Sequence, residues 1–247
     1  MNDLSGKVAL VTGAAHRVGK AIALELARNG AYIALHSHGA SPEMVEQTRQ
    51  EIMALGVQVI PFTANLSQTD APKQLINAIQ AAFGRLDVLV NSASNFKSNR
   101  LPDVSLEDWN TTLAINLTAP FLLTQQGAQL MMHNDPPGGV IINICDKGAI
   151  DPWVDFAAHG ISKAGLLALT KLSAVSLAPQ IRTNAIIPGL VLKPERTPDD
   201  RWQALAAQTP MQHPGSAEDV ARAVAYLARE PYLNGAVIHV DGGEYLT

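Results

Sequence analysis

Three side chains suited to proton transfer fall within residues 139–167: Asp146, His159 and Lys163. Asp146 closes an apolar run, Asn143-Ile144-Cys145-Asp146, that reads as the end of a strand. His159 and Lys163 stand four residues apart, so a helix starting near Val154 presents both on one face. An imidazole, with an ordinary pKa of about 6.5, suits general acid–base work. A carboxylate beside it favours the protonated ring or fixes its tautomer, whereas the Lys163 cation favours the neutral ring. The trio describes either a proton-handling site or one that has lost its chemistry.

The elements that must hold these residues alternate along the whole chain. Apolar, β-rich runs at 7–12, 32–36, 57–63, 86–93, 140–145, 181–188 and 235–243 read as seven strands. Between them helices are expected at 20–30, 42–55, 70–83, 106–132 (with a bend near Pro120), 154–177, 199–209 and 217–229. Helices between short apolar strands imply right-handed crossovers and one α/β domain, 1–247: a doubly wound, Rossmann-type, seven-stranded parallel sheet with helices on both faces. Residues 190–212 interrupt the alternation as a substrate-side loop and helix, and their polar, Pro-rich part at 193–200 has the character of a lid.

The first turn, Gly13 to Gly19, lies between a strand and a helix, where backbone N–H groups and a helix N-terminus receive a pyrophosphate. The second strand ends in His36-Ser37-His38 without a carboxylate before Glu43, and Arg17 lies in the neighbouring turn. Such a neutral-to-basic pocket suits the 2′-phosphate of NADP(H) rather than a free ribose hydroxyl. The blander alternative is that His36 and His38 are residues of a polar surface loop.

Five motifs in sequence order resemble those of the short-chain dehydrogenase/reductase family: Thr12-Gly13…Gly19, Asn91-Ser92-Ala93-Ser94, Asn116, Pro188-Gly189 and Asp241-Gly242-Gly243. The chain is most similar to the pteridine reductase branch. Arg17 stands where most relatives carry glycine, Asp146 where most carry a catalytic serine, and the run 91–96 supplies Phe96 where that branch stacks an aromatic on its substrate. The resemblance implies hydride transfer from NADP(H) to a small molecule, and a homotetramer. It implies cofactor contacts from Gly13, His16, Arg17, Val18, Gly19, His36, Ser37, His38, Asn65, Asn91, Ala93, Lys163, Pro188 and Gly189. Asp146, His159, Lys163 and Asn116 fall at catalytic positions, and Ser94, Phe96, Asp146, Trp153 and Leu190 at substrate positions. The departures are as informative. The family's tyrosine, four residues before the lysine, is His159, and the position seven before the lysine is Phe156. Asn65 replaces the usual aspartate at the adenine, and Ser92 and Ser94 occupy a loop that usually reads Asn-Asn-Ala-Gly.

Two function classes follow: an NADPH-dependent reductase with Asp146 and His159 as its proton-handling pair, and a nucleotide-binding relative without chemistry that serves as a partner or sensor. A lyase or isomerase using the same pair is a third reading. Asp151 and Asp155 are expected to open the helix that carries His159, where the helix dipole favours acids, and Lys147 to be solvated. Surplus apolar residues Phe121, Leu122, Leu166, Leu169 and Leu172 suggest a subunit contact. The net charge of −4 gives no footprint for nucleic acid. The one cysteine, Cys145, excludes an intramolecular disulfide and reads as a buried apolar residue. No run approaches the ~18 apolar residues of a membrane span, and no cluster calls for a metal. The expected setting is the cytoplasm.

Overall fold

The computed structural model describes residues 3–194 and 197–247. Seven parallel strands form one sheet: β1 (Val8–Val11), β2 (Tyr32–Ser37), β3 (Val59–Thr63), β4 (Val88–Asn91), β5 (Gly139–Ile144), β6 (Ile181–Pro188) and β7 (Val237–Val240), in the order β3-β2-β1-β4-β5-β6-β7. β1 and β4 are buried at every residue, as parallel strands covered on both faces must be. Their register (Ala9 beside Ile33 on one side and Val88 on the other) places the strand-order reversal between β1 and β4. Ligands of open α/β sheets bind beyond the strand C-termini at such a reversal.

Helices α1 (Arg17–Arg28), α2 (Pro42–Met53), α3 (Ala71–Phe83), α4 (Leu106–Leu113), α5 (Ala119–Met131), α6 (Ala157–Ser176), α7 (Asp199–Ala206) and α8 (Ala217–Arg229) complete the described fold. One face of the sheet packs on α1, α2 and α8 through Ile22, Leu26, Ile52, Val220 and Val224. The other packs on α3 and α5 through Leu75, Ile79, Leu123 and Met131. The start of α8 follows from sequence: Ser216 and Asp219 form a reciprocal capping box. α3 stops at Gly84, whose φ of 75° is left-handed.

Three expectations change. The expected helix 106–132 is α4, a π-helical turn at Ala114–Thr118, and α5. Pro120 has no N–H for the Asn116 carbonyl four residues back, and the helix widens there instead of merely bending. The expected helix 154–177 begins at Ala157, because Phe156 holds a non-helical backbone as N-cap. Asp151 and Asp155 therefore lie before the helix, and its first turn carries no acid. Leu166, counted among surplus surface apolars, is buried against Ala185 and Ile187, while Phe121 and Leu172 stay exposed. The expected lid at 193–200 includes Glu195 and Arg196, which lie outside the described residues; beyond it Trp202 and Ala206 bury one side of α7.

Candidate active site

β5 delivers Asp146 to the C-terminal edge of the sheet, and α6 crosses that edge with His159 and Lys163 turned toward it. His159 is 1% exposed. Its Nε2 pairs with Asp146 Oδ2, and its Nδ1 lies 3.0 Å from the carbonyl oxygen of Asn95. Asn116 Nδ2 also approaches Nδ1, at 3.3 Å, but has Asn95 O and Ser162 Oγ, each at 3.0 Å, as acceptors for its two hydrogens. Both ring nitrogens thus face oxygens. Asp146 touches the ring, whereas Lys163 Nζ donates to Ile144 O at 2.8 Å. The lysine is buried, with donor capacity beyond that single bond.

The ring is also roofed. Phe96 meets it edge to face, with centroids 4.7 Å apart, and stacks on Phe156 at 4.4 Å. Trp153 stands edge-on to both phenylalanines. Backbone bonds from Asn99 N to Asp155 O and from Ala157 N to Asn99 O join the two loops that carry this aromatic group. His159, expected to face the cleft as the proton donor, instead lies behind Asp146, and the carboxylate is the more exposed member of the pair. Asp146 Oδ1 is buried without a hydrogen-bond partner. It lies toward Gly148, where a Cβ would come within 3.0 Å of it and 3.2 Å of the Trp153 ring. A buried carboxylate oxygen without a donor is costly, and this one sits against the Gly148 turn rather than on the open surface.

The nucleotide end is built on close backbone approach. Gly13 has φ 70°, and a Cβ there would lie 3.2 Å from Ala93 Cα; one on Gly19 would lie 2.2 Å from Gly13 O. Thr12 Oγ1 accepts from Ser92 N (2.9 Å) and Ala93 N (3.0 Å), tying the turn after β1 to the turn after β4. His16, the N-cap of α1, makes no side-chain cap bond, and the first turn carries no acid, which leaves N–H groups for an anion. Arg17 is exposed and left-handed, with φ 55°, a conformation that costs a non-glycine residue ~1 kcal/mol. These features fit a dinucleotide with additional phosphate charge.

Other expected positions take different roles. His36 is not a surface residue of the cofactor pocket. Its Nδ1 accepts from Gly13 N at 3.3 Å and its Nε2–H donates to Ala64 O at 3.0 Å. Burial, partly offset by the Ala64 bond, pushes its pKa down to about 4. It is a neutral strut beneath the turn 13–19; Ser37 beside it is also buried, whereas Arg17 and His38 are exposed. Asn91 is equally interior: Nδ2 donates to Asn143 Oδ1 at 2.8 Å, and Oδ1 is buried without a partner. Asn116 uses both ends of its amide on protein, since its Oδ1 accepts from Asn95 N at 2.7 Å. Asn65 Oδ1 is held by Ser67, through N at 3.1 Å and Oγ at 2.8 Å, which leaves the amide nitrogen for a base. Pro188 ends β6, and Gly189, which follows it, donates its N–H to Val240 O. Ser94 is exposed beside Asn116, and Leu190 O accepts from Gly215 N. Burial pushes the Cys145 thiol up to about 12, so it is inert. Sequence reasoning missed Asn95, Ser162 and the pairing of Lys147 with Glu244. The first acts through its backbone, and the last joins residues 97 apart. Among the described residues no group of ligating side chains could hold a metal, and no helix is long and apolar enough to cross a membrane.

The enoyl-(acyl carrier protein) reductase family profile matches residues 13–244. The chain is 34% identical over 245 residues to a 3-oxoacyl-[acyl-carrier-protein] reductase of Staphylococcus aureus, covering 97% of this chain and 98% of that one. It is 36% identical over 248 residues to nodulation protein G of a Rhizobium species, with 98% of each covered. Among solved structures, an alternative dihydrofolate reductase 1, FolM, from Brucella canis in complex with NADP superposes with a TM-score of 0.92 at 28% identity, covering 99% of this chain and 96% of that one. A blue fluorescent protein from a metagenomic library in complex with NADPH superposes with a TM-score of 0.89 at 34% identity, covering 98% and 99%.

Proposed function

The chain belongs to the short-chain dehydrogenase/reductase family, and from that premise we propose that it is an NADPH-dependent reductase of a pterin-like or small carbonyl compound. The observation that carries this reading is the Asp146–His159 pair at the end of β5. When bound, NADPH supplies the hydride. Arg17, with Ser37 and His38 beside it, holds the 2′-phosphate, and the uncapped start of α1 holds the pyrophosphate. The spare donors of Lys163 hold the nicotinamide ribose. Asp146 faces the substrate: its carboxylate accepts N–H bonds of an amidine-like edge, such as that of a pterin. His159, hydrogen-bonded behind it through Nε2, orients Asp146, and the pair delivers to the substrate, by way of the Asp146 carboxyl, the proton that accompanies the hydride. Phe96, Phe156 and Trp153 keep water from the ring. The similarity to a dihydrofolate reductase with bound NADP supports both cofactor and substrate class. The described residues on either side of 195–196 within the expected insertion, 190–194 and 197–212, are taken as the substrate-side wall.

Four copies assemble through α5 and α6. The support is a groove of about 480 Å³ lined by Phe121, Met132, Leu169 and Leu172, with Val175 exposed on the same helix as Leu172. The expected location is the cytoplasm.

NADPH oxidation, followed at 340 nm with dihydropterins, quinones and small ketones, tests the activity. Turnover of a dihydropterin is the expected result, and tight NADPH binding without turnover of any acceptor rejects it. A second reading, a nucleotide-binding partner without chemistry, is favoured by one observation: His159 is buried, with both nitrogens occupied. His159→Tyr separates the two. A loss of turnover supports the adapted site, and a large gain supports decay.

A further inference from the structure

We infer that Glu244 is a positioning residue of this site: through Lys147 it ties the turn that carries Asp146 to the turn at Gly189, so that the two walls of the cleft move as one. Lys147 directly follows Asp146, and its Nζ lies 3.3 Å from Glu244 Oε1, with both side chains only about one-fifth exposed (20% and 21%). It is therefore not the solvated lysine that its sequence position suggests. The same carboxylate reaches the other wall: a Cβ on Gly189 would lie 2.7 Å from Glu244 Oε2 and 2.6 Å from Asp241 Cβ.

The segment that carries Glu244 is itself fixed. Gly242 and Gly243, with φ of 63° and 84°, reverse the chain after β7. Asp241 Oδ1 accepts from Gly243 N at 2.9 Å and Oδ2 from Tyr245 N at 3.1 Å. Met211 N donates to Gly242 O, and the Tyr245 ring packs on His239 with centroids 4.1 Å apart. On the other side, Ala149 N donates to Asp146 O, while Ile150 N and Asp151 N donate to Lys147 O. Glu244 thus joins two short strand-end turns that have no direct hydrogen bond to each other among the described contacts. A half-buried ion pair at a rigid anchor resists displacement better than an exposed one, and misplacement of a reacting group by about 1 Å can cost ~10²-fold in rate.

This inference rests on the reductase reading for its rate effect but not for its structural effect, and both are measured on the full chain with NADP⁺ bound. Glu244→Gln is expected to speed hydrogen exchange at the amides of Ala149, Ile150 and Asp151 by about tenfold or more, with β1 amides unchanged. Lys147→Met, which cuts the tie from its other end, gives the same pattern. With an active acceptor, kcat falls about tenfold while KM for NADPH stays within about twofold. Lys147→Arg, which keeps the cation facing both Glu244 and Asp151, keeps most of the protection. Unchanged exchange at these amides in both Glu244→Gln and Lys147→Met overturns the inference, as does loosening that is equal at β1. If the wild type turns over no acceptor, the reductase reading fails, and the exchange arm still decides the tie.

Discussion

Acidification is expected to weaken the fold through His36, and the size of the effect follows from its surroundings. The ring is 1% exposed, accepts from Gly13 N through Nδ1 and donates to Ala64 O through Nε2. A proton on Nδ1 would confront the Gly13 N–H with a second donor, and burial independently disfavours the charge. The folded pKa of about 4 lies below the ordinary 6.5, so between these values the unfolded chain binds a proton that the folded chain refuses. The contribution of neutral His36 is therefore complete above about pH 6.5 and lost as the pH falls toward 4. It amounts to about 2 kcal/mol lost by pH 5 and about 3 kcal/mol by pH 4. The assay is urea unfolding of the wild type and of His36→Gln at pH 7.5, 6.0 and 5.0. Gln can keep the bond to Ala64 O but does not titrate, and subtraction removes linkage common to both proteins. The wild-type advantage should shrink by about 2 kcal/mol between pH 7.5 and 5.0. A difference independent of pH refutes the placement of a neutral, buried His36 beneath the phosphate turn.

Arg17→Gly should relieve the left-handed strain, adding up to ~1 kcal/mol of stability. It should weaken NADP⁺ binding about tenfold or more while leaving NAD⁺ binding unchanged, as read by calorimetry. Gly19→Ala places a methyl 2.2 Å from Gly13 O. Cofactor binding should be abolished, or the melting temperature lowered by several degrees; a variant normal in both contradicts the close approach of that turn. Leu172→Glu puts a charge on the exposed face of α6 and should shift light scattering at micromolar concentration from tetramer to smaller species. An unchanged mass rejects that face as the contact.

The sheet was legible because its strands are continuous apolar runs. Their parallel direction follows from the helical crossovers, and β6 and α8 begin and end where the pattern predicts, whereas the strand order came from the structure. Local interruptions were not legible. The π turn at Ala114–Thr118 depends on a carbonyl that Pro120 cannot satisfy, and the late start of α6 depends on Phe156 being held against Phe96. The site divides in the same way. Spacing placed Asp146, His159 and Lys163 together, but it could not show which member of the pair lies in front, because that depends on Asn95 and Phe96 arriving from another loop. His36 shows the converse: its position at a strand end suggested a pocket, and only the turn above it turned its ring inward.

The central claim is that Asp146 and His159 act as one unit in the reduction. Asp146→Asn, His159→Gln and the double variant, assayed for NADPH oxidation with the best dihydropterin acceptor, test it most directly. Each single substitution should lower kcat about 10²- to 10³-fold with cofactor affinity retained, and the double variant should be no worse than the poorer single. Losses that multiply in the double variant, or a single substitution that leaves kcat intact, would contradict it.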